Sequence, residues 1–167
     1  MIGRRGYGKT TFALRLLKEA YKRGRRREMV AFAPNGLPAV VRKKVRLLSN
    51  LQEIAQISQA SVLIDDASAY LRGVVSDSDI RSLVVGARHR ETDIVFVYHN
   101  IAQTPPFLFS LADTIVFFSV TDSKEAIKQK LGFEPELYRT ALMAISLPKY
   151  KWLAYNLNTH NAIGGML

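Results

Sequence analysis

The sequence contains no cysteine. That excludes a disulfide framework and any thiolate-bound metal, leaving oxygen and imidazole as the possible metal ligands. Long apolar runs are missing as well: residues 94–98 and 114–120 are among the longest, far below the ~20 residues that a membrane-spanning helix requires. The basic N-terminal segment lacks the apolar core of a signal peptide. A cytosolic protein without membrane insertion is therefore expected. No internal repeat, low-complexity tract or linker interrupts the chain, and its 167 residues suffice for one well-buried core and are short for two. A single domain over 1–167 is expected.

Acidic residues are scarce in one region only. Residues 1–46 hold fourteen Lys or Arg against Glu19 and Glu28, whereas the remainder is slightly acidic, so the formal charge of +10 is a local excess. Arg15, Lys18, Lys22, Arg23, Arg25, Arg26 and Arg27 form one cluster; Arg42, Lys43, Lys44 and Arg46 form another. Such a field attracts polyanions through phosphate contacts and counterion release. A solvated basic face or a contact between subunits would use the same residues.

Apolar residues recur at helical spacing over 10–23, with Gly24 placed to end the helix. A short buried strand is predicted over 29–33, stopped by Pro34-Asn35-Gly36, with a further strand or helix extension over 45–48. Ser49 or Asn50 can cap a helix over 51–58, with Glu53 near the capping-box position. Strands follow over 61–64 and 94–98, separated by a helix from Ser76–Ser78 to about Arg88. Pro105-Pro106 starts a short helix, 114–120 is a buried strand, 123–131 and 136–145 are helices, and 150–157 is a last strand before a weakly structured Gly-rich tail. This alternation predicts an α/β fold, mainly a parallel sheet between helices.

Gly3-Arg4-Arg5-Gly6-Tyr7-Gly8-Lys9-Thr10 fits the pattern Gly, four residues, Gly-Lys-Thr. Glycines let the loop turn its N–H groups around phosphates, and the following helix N-terminus adds to the field. These residues and Thr11 are the candidate ATP-binding set. Lys9 is expected to reach the β and γ phosphates, and Thr10 to ligate Mg²⁺. A buried strand should precede the loop, yet only Met1 and Ile2 are available, so the first strand is expected to be truncated. Val62-Leu63-Ile64-Asp65-Asp66 is an apolar strand ending in acid. Asp65 would hold Mg²⁺ through its water shell, and Asp66 would polarise the attacking water. His99 and Asn100, at the tip of the next strand, suit a γ-phosphate sensor or a structural role. Arg88 or Arg90 would serve as an arginine finger toward a neighbouring subunit, or complement the helix dipole.

These segments together resemble the FtsK-HerA group of P-loop motors, and within it viral genome-packaging ATPases. The loop Gly3 to Thr10 does not select a family. The stretch Ala87-Arg88-His89-Arg90-Glu91-Thr92-Asp93-Ile94-Val95-Phe96-Val97-Tyr98-His99-Asn100 narrows it, since it resembles the arginine-bearing helix end that leads into the family's sensor strand. The resemblance covers about residues 3–120. It implies a RecA-like sheet and a homo-oligomeric ring, a pentamer or hexamer, with ATP sites at subunit boundaries. It further implies DNA in a basic channel, a capsid or vertex protein as docking partner, and a place in the host cytoplasm or on the virion. A filamentous-phage-type assembly ATPase, a small-molecule or nucleoside kinase, and a nucleotide-gated DNA-binding scaffold share parts of the pattern. Kinases concentrate arginines in a late lid, whereas here they precede the acidic strand.

Overall fold

In the computed structural model, residues 1–39, 44–71 and 76–167 are described. Arg42 and Lys43 of the second basic cluster lie outside them. Two units emerge: Thr10–Val97, and Met1–Lys9 together with Tyr98–Leu167.

The unit Thr10–Val97 is built on helix α1 (Lys9–Lys22) and four parallel strands. On α1, Ala13, Leu14 and Leu17 are buried while Arg15 and Lys18 face solvent, the one-sided stripe of a helix laid on a core. The helix closes with Arg25 N–H on Ala20 O and Gly24 N–H on Tyr21 O, the paired bonds of a Schellman end. Strands β1 (Glu28–Phe32), β2 (Arg46–Leu47), β3 (Ala60–Ile64) and β4 (Asp93–Phe96) run in the order β2-β1-β3-β4. Val30 pairs with Val62, and Val62 with Ile94. All five residues of β3 are buried, which explains its continuous apolar run: an inner strand of a parallel sheet is covered on both faces. Because the strands are parallel, Asn35 after β1 and Asp65-Asp66 after β3 leave the sheet at its C-terminal edge, where such sheets bind ligands.

Local caps act as the sequence foretells. Asn50 Oδ1 accepts from Glu53 N–H at 3.1 Å, while Glu53 Oε1 accepts from Asn50 N–H at 3.0 Å and Ser49 N–H at 2.9 Å, a reciprocal capping box. The helix it opens is a 3-10 turn (Gln52–Gln56), not the longer α-helix expected over 51–58. Ile57 has already turned extended, because its carbonyl accepts from Arg90 Nε and Thr92 Oγ1, both at 3.2 Å. A four-residue helix, α2 (Ala67–Tyr70), was not foreseen. Helix α3 (Asp77–His89) starts at Ser76, whose Oγ accepts from Asp79 N–H, and packs on β4. Ion pairs Arg46–Glu28 at 2.5 Å and Arg26–Asp93 at 2.6 Å tie basic residues of both clusters to strand ends.

In the second unit, Ile2 forms single-residue parallel bridges to Tyr98 and to Phe117. The bridges are held by Ile2 N–H on Val116 O, Phe118 N–H on Ile2 O and Tyr98 N–H on Met1 O, so the residues before the loop pair as a strand would. Helix α4 (Pro106–Leu111), strand β5 (Thr114–Phe117) and helices α5 (Lys124–Leu131) and α6 (Pro135–Ala144) stand within a residue or a few of their predicted bounds. The Gly-rich tail does not. After β6 (Lys151–Asn156) the chain reverses and forms β7 (Asn161–Met166), antiparallel to β6, in a sheet ordered β5-β6-β7. Asn156 Oδ1 accepts from Asn158 and Thr159 N–H, both at 2.9 Å, and sets that turn. Gly165 is in β7 for space: a Cβ there would lie 2.7 Å from the Trp152 ring on the paired strand. The glycine that reads as slack in the sequence makes room for a tryptophan.

Candidate functional site

The glycine loop is fastened at its root. Gly3 N–H donates to Tyr98 O at 3.2 Å and Arg4 N–H to Ser119 O at 2.7 Å, so the loop leaves the Ile2 bridge in a fixed direction. Gly3 has φ +146°, and a Cβ on it would lie 2.8 Å from Phe118 Cβ and 2.9 Å from Ser119 O; no larger residue fits without displacing backbone. Gly6 and Gly8 also have positive φ, as required of a loop that curls its amides inward. Arg4 places its guanidinium 5.9 Å from the centre of the Tyr7 ring, and both Arg4 and Arg5 are exposed.

Lys9, the first residue of α1, is only 5% exposed. Its ammonium donates to Gly3 O at 2.6 Å and Arg4 O at 2.8 Å, and lies 3.5 Å from His99 Nδ1. The strand-tip histidine and the loop lysine, ninety residues apart, therefore share one spot. Asn100 is otherwise engaged: its Oδ1 accepts from Gln103 N–H at 2.8 Å and its carbonyl accepts from Thr104 Oγ1 at 3.0 Å. The side-chain oxygen holds a turn that Asp122 also braces, through Ile101 and Ala102 N–H.

In the unit Thr10–Val97, Thr10 Oγ1 donates to Asp65 and lies 3.1 Å from each carboxylate oxygen. Phe32 O receives Asp65 N–H at 3.0 Å, which fixes Asp65 to the strand beside its own. A hydroxyl and a carboxylate at this range are both hard oxygen donors, the type Mg²⁺ takes alongside water and phosphate. Among the described residues no group of three or more acidic or imidazole side chains could hold a metal without such help. Thr11, next along α1, is exposed.

Asp66 sits in the left-handed region at φ +52°, a conformation that Asp tolerates better than most residues. Its carboxylate lies 3.4 Å from Asn35 Nδ2 and 3.4 Å from Ser68 Oγ, and Tyr70 Oη donates to Asn35 Oδ1 at 3.1 Å. Asn35 reads in the sequence only as a turn residue; its place after the strand beside β3 is the signal that would have found it. The two candidate arginines differ. Arg88 is exposed on α3. Arg90 turns back on its own chain, with Nε on Ile57 O at 3.2 Å and Nη2 on Leu83 O at 3.4 Å, and lies against Gly86.

No protein-family model matches the sequence, and no curated protein matches it. Solved structures do. The genome packaging NTPase B204 of Sulfolobus turreted icosahedral virus 2 in complex with ATP-gammaS superposes with a TM-score of 0.72 at 14% identity, over 98% of this chain and 93% of that one. The same protein with sulfate gives 0.76 at 14% identity, over 98% and 92%. B204, the DNA-packaging ATPase of Sulfolobus turreted icosahedral virus, gives 0.74 at 15%, over 98% and 93%. The fold implied by residues 87–100 is thus the fold observed: an α/β P-loop NTPase architecture with a parallel four-stranded sheet flanked by helices. Among the described residues no helix is long and apolar enough to cross a membrane.

Proposed function

We propose that this chain is a single ATPase domain that hydrolyses ATP to move DNA, as a subunit of a viral genome-packaging motor. The observation that carries the reading is the pairing of Thr10 with Asp65 at 3.1 Å, with Lys9, the residue before Thr10, buried on the loop carbonyls. A strand-end carboxylate on the hydroxyl that follows the loop lysine is the arrangement that Mg-triphosphate binding requires. The likeness over nearly the whole chain to structures described as packaging NTPases supports the same reading.

In it, the loop from Gly3 to Thr11 takes the phosphates, through the Lys9 ammonium and the N–H groups beyond Arg4, since those of Gly3 and Arg4 are bonded to Tyr98 O and Ser119 O. Thr10 and Asp65 hold Mg²⁺, which neutralises charge on the β and γ oxygens during transfer. Asp66 orients the water, positioned by Asn35 and Ser68, and His99 beside Lys9 senses the γ-phosphate. We assign the arginine finger to Arg88, which is exposed on α3, whereas Arg90 is half-buried and lies against Gly86. Asn100 acts through the turn it holds. The exposed arginines at the end of α1 contact DNA phosphates, in a ring of identical subunits docked on a capsid or vertex protein, in the host cytoplasm or on the virion.

The test is steady-state ATP hydrolysis with and without double-stranded DNA across a salt series. Stimulation that fades as salt rises, with cooperative dependence on protein concentration, is the expected result. Hydrolysis that ignores DNA at every salt concentration would remove translocation, and phosphorylation of a metabolite by a monomer would point to a kinase.

A further inference from the structure

Gly8 has close neighbours that the phosphate chemistry does not use. A Cβ built on it would run into the Leu167 side chain and lie 3.3 Å from Tyr150 Cδ1. Leu167 and Tyr150 therefore lie directly against the loop at Gly8. Tyr150 is held in place from several directions. Its backbone is left-handed, at φ +66°, and its carbonyl accepts from Leu167 N–H at 3.0 Å. The Lys149 ammonium lies 5.0 Å from its ring centre. Yet the residue is 45% exposed. An aromatic whose backbone is held and whose ring packs against the loop at Gly8 while leaving much of its surface to solvent offers that surface to a ligand bound by the loop.

A nucleotide whose phosphates are held by the loop amides must carry its sugar and base away from the loop. The side chains in van der Waals contact with the loop are the first surface it meets. We infer, resting on the triphosphate reading above, that Tyr150 and Leu167 form the wall on which the nucleobase lies. The wall takes purines by their ring faces, so adenine and guanine are held alike. An aromatic face and a branched aliphatic group read the π-surface that every base has, not the pattern of donors and acceptors along its edge. Lys149 adds positive charge beside the same ring, suited to the sugar-phosphate end of the ligand.

Calorimetric titration with MgATP, MgGTP and magnesium tripolyphosphate tests this directly. Wild type should bind ATP and GTP within about threefold of each other, and Tyr150→Ala should weaken both by about tenfold while tripolyphosphate changes by less than about twofold. Tyr150→Phe should restore the wild-type affinities. Tyr150→Leu, which keeps apolar bulk and loses the π-face, should lie between, and guards against an alanine variant that fails to fold. Unchanged ATP affinity in Tyr150→Ala would overturn the wall; so would a loss for tripolyphosphate equal to that for ATP, since the residue would then merely brace Gly8. Discrimination between ATP and GTP beyond about tenfold in wild type would overturn the reading by ring faces. If wild type binds neither nucleotide nor tripolyphosphate, the phosphate loop itself is misread, a failure separable from that of the wall.

Discussion

Replacing Lys9 by alanine separates a phosphate cradle from a glycine turn of the same spelling. The ammonium is buried and donates at 2.6 and 2.8 Å to Gly3 O and Arg4 O. Hydrogen bonds from a charged donor contribute about 1.5–3 kcal/mol each, but burying the ammonium costs free energy of the opposite sign, so the net loss in the variant is about 1–3 kcal/mol. For a domain of this length each kcal/mol moves Tm by about 2–4 °C, so a fall of roughly 2–12 °C is expected, with unfolding still cooperative. MgATP at about 100 times its Kd should add about 2.7 kcal/mol to wild type, a rise of roughly 5–11 °C. Lys9→Ala should show no such rise, and its single-turnover hydrolysis should fall by about 100-fold or more, the usual consequence of losing one charge-stabilising donor. Thermal unfolding with and without MgATP, paired with quenched single-turnover assays, reads both numbers. A variant that keeps the full nucleotide-induced rise and hydrolyses within about threefold of wild type would refute the cradle.

Asp65→Asn keeps an acceptor for Thr10 and should leave Tm nearly unchanged, while Mg²⁺-dependent ATP binding weakens by about tenfold and binding in EDTA does not; titration in both conditions decides. Arg88→Ala should lower turnover of the assembled form by about 1000-fold, whereas Arg90→Ala, which strips Leu83 O and Ile57 O of a donor, should cost about 1–2 kcal/mol of stability. Hydrolysis rates of both variants decide the assignment, which is reversed if turnover falls about 1000-fold in Arg90→Ala and is kept in Arg88→Ala, while denaturant midpoints read the loss of the Arg90 bonds. Burial and the hydrogen bond to Glu134 raise the Tyr155 hydroxyl to about 12 from an ordinary value of 10.0. Its contribution is therefore complete below pH 10 and disappears between about pH 10 and 12, because the unfolded chain ionises first. Urea midpoints should fall through that window, and in Tyr155→Phe the fall should be smaller.

Much of the scaffold is legible because its signals are local. Ser76, Ser123 and the Asn50–Glu53 pair announce helix starts through side-chain bonds that reach only three residues, and β3 declares its buried place by a run of apolar residues. The juxtaposition of Thr10 with Asp65 spans fifty-five positions, yet it is legible too, because a loop motif and an acidic strand end are each recognisable alone. What escapes the sequence depends on partners far along the chain. Gly165 makes sense only opposite Trp152, and β7 exists because β6 offers it a ladder. Arg88 and Arg90 look interchangeable until the fold leaves the first exposed on α3 and turns the second back toward Ile57 O. Asn35 belongs to the site solely because β1 and β3 are neighbours in register.

Helix α1 begins at the residue whose ammonium the loop holds and ends at Lys22, just before the exposed Arg23, Arg25 and Arg27. Fourteen residues at about 1.5 Å each make a rod about 20 Å long. A tilt of roughly 5° at the loop end would sweep the far end through about 2 Å, near the ~1.7 Å of duplex axis per phosphate charge when both strands are counted. If the loop takes a triphosphate and the arginines take DNA, as proposed, the displacement at the far end would be the tilt multiplied by the length of the helix.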